Sequence, residues 1–359
     1  MDVTREQAVA FRIGAQGLGR RDAHDAAALL DLGVQHRESS VAVALAARLD
    51  GPPAGGVLAW THRAAPHRHH PADLARWARA LRPLSEADAA GRLIWTAEQS
   101  AAFGALDAID RTAQVLSTVA TGPMTKGELS TAVSRELPRA LQRDCPGCGV
   151  WHVFDQLLRL AALPAGLTLD GGRILRALPP DDGWVRPEGP GEVGDVAGLV
   201  TAAAGVLGPV SAADLAAWAG TSAGALRPAV EAADLLAVRV DGRRTWVARD
   251  RQELLADPPP PPGLRLLPPF DPLLSGRDRA LLVPDAGLRR AVWPALGHPG
   301  AVLVGTGIVG TWRPRASGTA LTLEVTSFDD LPRDLLDEEA ERVAAARGLR
   351  LRAVGVVDS

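Results

Sequence analysis

Residues 208–247 read GPVSAADLAAWAGTSAGALRPAVEAADLLAVRVDGRRTWV. Gly208-Pro209 breaks the chain, Ser211 is placed to cap a short helix over Ala212–Trp218, and Ser222–Ala233 predicts a longer one. Leu236–Val240 and Arg243–Val247 then alternate on either side of Asp241-Gly242. An Asp-Gly pair between alternating β-prone runs is a strong short-range hairpin signal, because both central residues of the turn need positive φ. With the apolar run Val196–Val206 in front, the order is helix, Gly-Pro turn, short helix, longer helix, hairpin.

Roughly 85 residues earlier a similar order occurs. Asp107–Val119 predicts a helix, Gly122-Pro123 a turn, and Thr125 the cap of Lys126–Ser134. Trp151–Leu163 predicts a third helix, and Leu167–Leu169 and Ile174–Ala177 flank a turn at Asp170-Gly171-Gly172. The first section holds helices over Thr4–Gly17, with a Thr4/Gln7 capping box, Arg21–Leu32 and Ser40–Leu49. A strand, Val57–Thr61, a loop, Arg63–His70, and a helix from Pro71 to Leu81 follow. After the stiff run Pro258–Pro262, strands are expected at Leu264–Leu267, Ala280–Val283, Val302–Val304, Ile308–Trp312, Ala320–Val325 and Arg350–Val357. A helix, Asp334–Arg347, precedes the last.

These patterns predict an α+β protein of tandem winged-helix units, each a helix-turn-helix plus β-hairpin, closed by an antiparallel β-rich module. The expected divisions are 1–105, 106–190, 191–257 and 258–359. Apolar residues at 47 % and charged residues at 23 % are the balance of a folded globular chain. A net charge of −3 argues against a uniformly basic coat, yet Lys126 is the only lysine, so the basic surface is almost wholly arginine. The N-terminus has no secretory pattern and no run reaches the ~18 apolar residues of a membrane span, so cytoplasm and no membrane partner are expected. No Walker loop, dinucleotide fingerprint or nucleophile elbow occurs.

Arg239, Arg243 and Arg244 on the hairpin are the strongest candidates for phosphate contact. Alternation sets Arg239 and Arg243 away from the face of Val238, Val240 and Val247. Arg63, His67 and Arg68 lie in the densest His/Arg stretch and carry two readings, a phosphate-facing groove or a solvated loop. Cys145, Cys148 and His152 have knuckle-like spacing for a structural zinc ion, with a fourth ligand to come from elsewhere, or form a reduced turn before a helix.

Gly33-Val34-Gln35, the segment WTHRAAPH at 60–67, LPPFDPLLSGRDR at 267–279 and IVGTWR at 308–313 resemble the winged-helix family that includes AlkZ-like and YcaQ-like DNA glycosylases. The resemblance implies a double-stranded DNA partner and excision of N-alkylated purines or unhooking of crosslinks; a monomer with no required cofactor is expected besides. It implies a Gln-x-Gln or Gln-x-Asp pair that stabilises the sugar cation and positions water. Gln35 matches the first position, but Arg37 stands at the second, so the pattern is degenerate there. Arginine has no acceptor lone pair and a fixed positive charge. Glu38 is the neighbouring carboxylate. Three functions follow from this reading: a DNA-binding protein with altered or lost catalysis, an active glycosylase, or a transcriptional regulator.

Overall fold

A computed structural model describes residues 1–19, 29–50, 55–95, 103–147, 149–170, 174–177 and 184–358. The fold is mixed α+β and separates into two compact units. One gathers 1–55, 202–214 and 235–359; the other holds 56–201 and 215–234. Among the described residues no helix is long and apolar enough to cross a membrane.

In the first unit the strands Arg265–Leu267, Gly300–Val304, Gly307–Ser317, Ala320–Ser327 and Arg350–Asp358 lie side by side in that order. The first four are mutually antiparallel, but the last runs parallel to Ala320–Ser327, which corrects the expectation of an antiparallel module. Strands in the same direction require a crossover, and the helix Arg333–Ala346 supplies it. Its residues Leu336, Ala340, Val343 and Ala344 repeat at helical spacing and pack into the sheet's core, leaving Asp334, Asp337, Glu338 and Glu341 exposed. Ala280–Val283 is not a strand: Arg279–Leu282 turns as a short helix, with Leu282 and Val283 buried in a neighbouring core. A short apolar run has the same composition in either state, and packing decides between them.

The N-terminal helix Arg5–Ala15 is capped by Thr4, whose hydroxyl accepts from the Gln7 amide. The expected capping box does not close. Gln7 instead donates its side-chain amide to the carbonyls of Leu255 and Ala256. Arg12 on this helix is buried and donates to the carbonyls of Gly208 and Pro209 and to the Asp278 carboxylate. Arg48 and Asp271, both fully buried, form a two-pronged pair with both N–O distances 2.8 Å. Arg48 also donates to the Gln16 and Ala44 carbonyls, so little of its hydrogen-bonding capacity is left unmet. Trp312 lies directly against Gly300 and donates to the Leu267 carbonyl at 2.9 Å. A Cβ on Gly300 would sit 2.3 Å from the indole, so only glycine admits this contact.

In the second unit the strands Pro66–His69, Val57–Trp60, Leu167–Asp170, Ile174–Ala177 and Met124–Thr125 are neighbours in that order. Helices Glu86–Leu93, Ala105–Val119, Lys126–Glu136 and Asp155–Ala162 pack through Leu93, Ile109, Leu116, Leu129, Val133 and Leu157. Here a capping box is complete, between Thr125 and Glu128. Two local expectations change. Residues 63–70 are not a loop, since Pro66–His69 pairs with Val57–Trp60. Trp151 does not begin a helix, because Val150–Val153 pairs with Gln142–Cys145 as a hairpin and the helix starts at Asp155. The β-branched and aromatic residues of VWHV suit a strand, and Gln142–Cys145 is there to pair with it. Most of the helix expected over Arg21–Leu32, and the turn at Gly171-Gly172, lie outside the described residues.

Replacing Asp271 with asparagine leaves the buried Arg48 charge uncompensated, a loss of about 3–5 kcal/mol. Urea unfolding of Asp271→Asn against wild type measures it; a change well under 1 kcal/mol contradicts the assigned role.

Candidate functional site

The loop after the short strand Val34–Gln35 is closed by Ser40. Its hydroxyl accepts from the Arg37 amide at 2.8 Å and donates to the Gln35 carbonyl at 3.1 Å. This closure places Arg37 and Glu38 on the wall of a cleft of about 190 Å³. Gln35 is half-buried and is not among the residues lining that cleft. Glu38 is exposed and holds φ at 51°, a left-handed conformation that side chains other than glycine adopt at a cost.

The opposite wall comes from the 267–279 block and the sheet. Phe270 also sits at positive φ, 64°, immediately before the buried Asp271. Its ring lies 5.5 Å from the Arg37 guanidinium carbon and meets His298 edge-on at 5.2 Å between centroids. Arg347 enters from the end of the helix Arg333–Ala346 and donates to the Ser39 hydroxyl. Burial, Arg279 and Arg37 in that order hold the His298 imidazole below its ordinary pKa, so this ring is neutral near pH 7. Phe270, His298 and Arg347 were not candidates from sequence. The 267–279 block carries part of the family resemblance, but nothing local connects it with residue 37 or residue 347.

The hairpin Leu235–Val240 with Arg243–Ala248 forms as expected, its turn carrying Asp241 at φ 48° and Gly242 at φ 76°. Arg239, Arg243 and Arg244 are all exposed. The register differs from the alternation argument in one respect. Arg239 pairs with Arg244, whereas Arg243 pairs with Val240 and so belongs to the face of the buried Val238 and Val247, at the hairpin's tip. The outward face therefore carries Arg239 and Arg244 side by side, and the Arg244 guanidinium carbon lies 5.1 Å from the Trp246 ring centre. Asp2 is the parallel neighbour of Arg239.

The His/Arg stretch of the second unit is largely internal. His62, His67 and His69 are buried, with exposures of 3 %, 1 % and 0 %. His62 and His67 stack at 3.7 Å, and Trp218 and Trp77 close the stack against His62 and His69. The Ala65 carbonyl, 2.9 Å from His67 Nδ1, can only accept, so that nitrogen carries the proton. The Thr61 hydroxyl then shares the His67 proton at 2.9 Å and donates to His69 Nε2 at 3.1 Å. His67 thus faces the interior, which corrects the expectation of a phosphate contact at this residue. Arg63 and Arg68 are half-buried, and Arg63 donates to the Trp218 carbonyl.

Cys145 and His152 lie on opposite strands of the hairpin 142–153 and interact with each other, which, after the Val153 carbonyl, raises the His152 pKa. Cys148 is outside the described residues. Among the described residues no three His, Cys, Asp or Glu side chains assemble as a metal site.

Residues 24–350 match the family model described as DNA glycosylase AlkZ-like. The interstrand DNA cross-link repair glycosylase of Streptomyces sahachiroi is 36 % identical over 131 residues. That alignment covers 34 % of each protein, about a third of the relative's length. The solved structure of Streptomyces sahachiroi DNA glycosylase AlkZ superposes with a TM-score of 0.74 at 23 % identity. It covers 99 % of this chain and 100 % of that one, a likeness of fold.

Burial first, with neighbouring histidines and Arg63, lowers the His62 and His67 pKa values well below 6.5, and burial with Arg76 brings His69 to about 3. Below the ordinary histidine pKa the unfolded chain takes up protons that these folded rings refuse. Stability is therefore unaffected above that value and falls as pH drops, by up to about 1.4 kcal/mol per pH unit for each ring. Denaturant unfolding between about pH 7.5 and pH 5.5 reads the slope, which His69→Gln should reduce. An unchanged slope in the variant contradicts the assignment.

Proposed function

This chain belongs to the AlkZ-like DNA glycosylase family, and from that membership we propose that it is a duplex-DNA-binding protein of winged-helix units in which Arg37 has altered or removed glycosidic-bond hydrolysis. The observation that carries the reading is the position of Arg37 on the cleft wall, its guanidinium over Phe270. A permanent cation there opposes the positive charge that develops on a sugar as its base departs, and it offers no lone pair to a water. Monomeric binding is part of the proposal.

The two helix–turn–helix–hairpin stretches are the reason for reading winged helices. In that arrangement the exposed ribbon carrying Arg239 and Arg244 lies against the DNA backbone. Guanidinium groups at phosphates add affinity without sequence information. Arg63 and Arg68 are the corresponding candidates in the second unit, less exposed than the ribbon pair.

A second reading, an active glycosylase acting on cationic alkylpurines, is favoured by Glu38. It is the one carboxylate among the residues lining the cleft, and a carboxylate there can hold water or steady an oxocarbenium ion. The curated relative and the solved structure described above both carry glycosylase names.

Duplex binding should weaken steeply with salt, and Arg239→Ala/Arg244→Ala should lower the magnitude of the log–log salt slope by about 2. A slope unchanged in the double variant removes the ribbon from the interface. For catalysis, duplex carrying 7-methylguanine is incubated with protein and released base is measured. Wild type should release little, and Arg37→Gln or Arg37→Asp should release more. Efficient release by wild type that Gln35→Ala abolishes establishes the second reading instead.

A further inference from the structure

The cleft that receives Arg37 contains more cationic and donor chemistry than the loop alone explains. Arg37 is exposed on one wall, Arg347 reaches in from another, and His298 meets Phe270 edge-on. Two buried polar atoms here have no hydrogen-bond partner, Nε of Arg347 and Nδ1 of His298. Buried donors are rarely left unmatched, and a guanidinium nitrogen can only donate. The Nη1 of Arg347 is committed to the Ser39 hydroxyl, which fixes the plane of the guanidinium and the direction of Nε. Glu38 is the acidic group on the wall. It is exposed, and its one negative charge is outnumbered by Arg37 and Arg347 on the walls and by Arg279 near His298. The walls are otherwise ring and proline carbon: Phe270, Pro268, Pro269 and Pro314.

We propose that this cleft is a phosphoryl-oxyanion site, in which Arg37, the Nε of Arg347 and the Nδ1 of His298, in its Nδ1–H tautomer, share the two non-bridging oxygens of a phosphodiester. The apolar walls suit the deoxyribose carbons attached to that phosphate. An anion satisfies the unmatched donors and balances the local positive charge, whereas a cationic alkylpurine meets Arg37 unfavourably. The proposal deepens the DNA-directed reading: it rests on that reading for the source of the phosphate, a backbone phosphodiester beside a displaced nucleotide. The oxyanion chemistry is shared with free nucleotides and inorganic phosphate.

Thymidine 3′,5′-bisphosphate, inorganic phosphate and thymidine are titrated calorimetrically into the full chain at low salt. The same is done with Arg347→Gln and His298→Ala, whose folding is checked by circular dichroism and thermal unfolding. The bisphosphate should bind at one site and thymidine should not, and Arg347→Gln should weaken binding about tenfold. His298→Ala, which removes no charge, should also weaken it, and this separates a directed donor from a general positive field. The second arm uses duplexes with a tetrahydrofuran abasic analogue, flanked by phosphodiesters or by a neutral methylphosphonate on one side. Loss of affinity on neutralising that single phosphate, reduced in Arg347→Gln, assigns the site to the DNA backbone. Bisphosphate binding that depends on Arg347 without any methylphosphonate effect keeps the oxyanion site and assigns it to a free phosphate ester. No bisphosphate binding by wild type, or equal binding by folded Arg347→Gln, overturns the proposal. Duplex binding through the Arg239/Arg244 ribbon that persists in that case shows that only the cleft assignment has failed. Bisphosphate binding without duplex binding shows that only the DNA-directed reading has failed.

Discussion

The buried pair between Arg48 and Asp271 is the constraint from which the candidate site follows. Its parts come from distant stretches, the helix after the 35–40 loop and the block after the proline run, and neither ion is tolerable in the interior alone. The pair therefore forces the two stretches together and orients them. Asp271 also accepts from the Leu273 amide, which starts the turn Pro272–Ser275 and leaves Phe270 in its left-handed conformation over Arg37. A one-residue shift on either side would leave the charge unpaired, so the geometry of the cleft has little freedom. Arg12 performs a related task nearby, joining the Gly208-Pro209 turn to Asp278.

Basic residues in this chain serve two different ends, and burial distinguishes them. Arg12, Arg48 and Arg82 have exposures of 1–2 %, and each is matched to a carboxylate and to at least one backbone carbonyl. They are structural. Arg239 and Arg244 stand on an exposed face, with Trp246 beneath one of them and Asp2 beside the other. The histidines divide similarly. His62, His67 and His69 form part of a core with two tryptophans, while His298 lies at a cleft among cations. A net charge of −3 therefore says little about either population, since the acidic excess is partly displayed on the exposed side of the helix Arg333–Ala346.

Local signals were legible wherever a few adjacent residues decide the outcome. The Asp241-Gly242 hairpin, the Thr125 cap and the helix expected over Asp334–Arg347 all formed, the last at Arg333–Ala346. Readings failed where pairing with another segment, near or far along the chain, competed with the local preference. Gln7 left its own cap for the carbonyls of 255 and 256, HRH at 67–69 became a strand because Val57–Trp60 was available to pair, and Arg350–Asp358 went parallel because a helix carried the chain across. Arg243 was assigned to the wrong face because alternation fixes a face only once the hydrogen-bonded register is known.

What the amino-acid order determined alone was the mixed helix-and-strand content, most element positions and the family likeness, including arginine in place of an acceptor at position 37. These depend on nearest neighbours along the chain or on the identity of single residues. Tertiary structure decided which arginines are structural and which are displayed, that His67 faces inward, and that Phe270, His298 and Arg347 share a cleft with Arg37. Those outcomes rest on desolvation and on pairing between separate segments, in the cleft more than two hundred positions apart, and such contacts leave no periodic trace in the sequence.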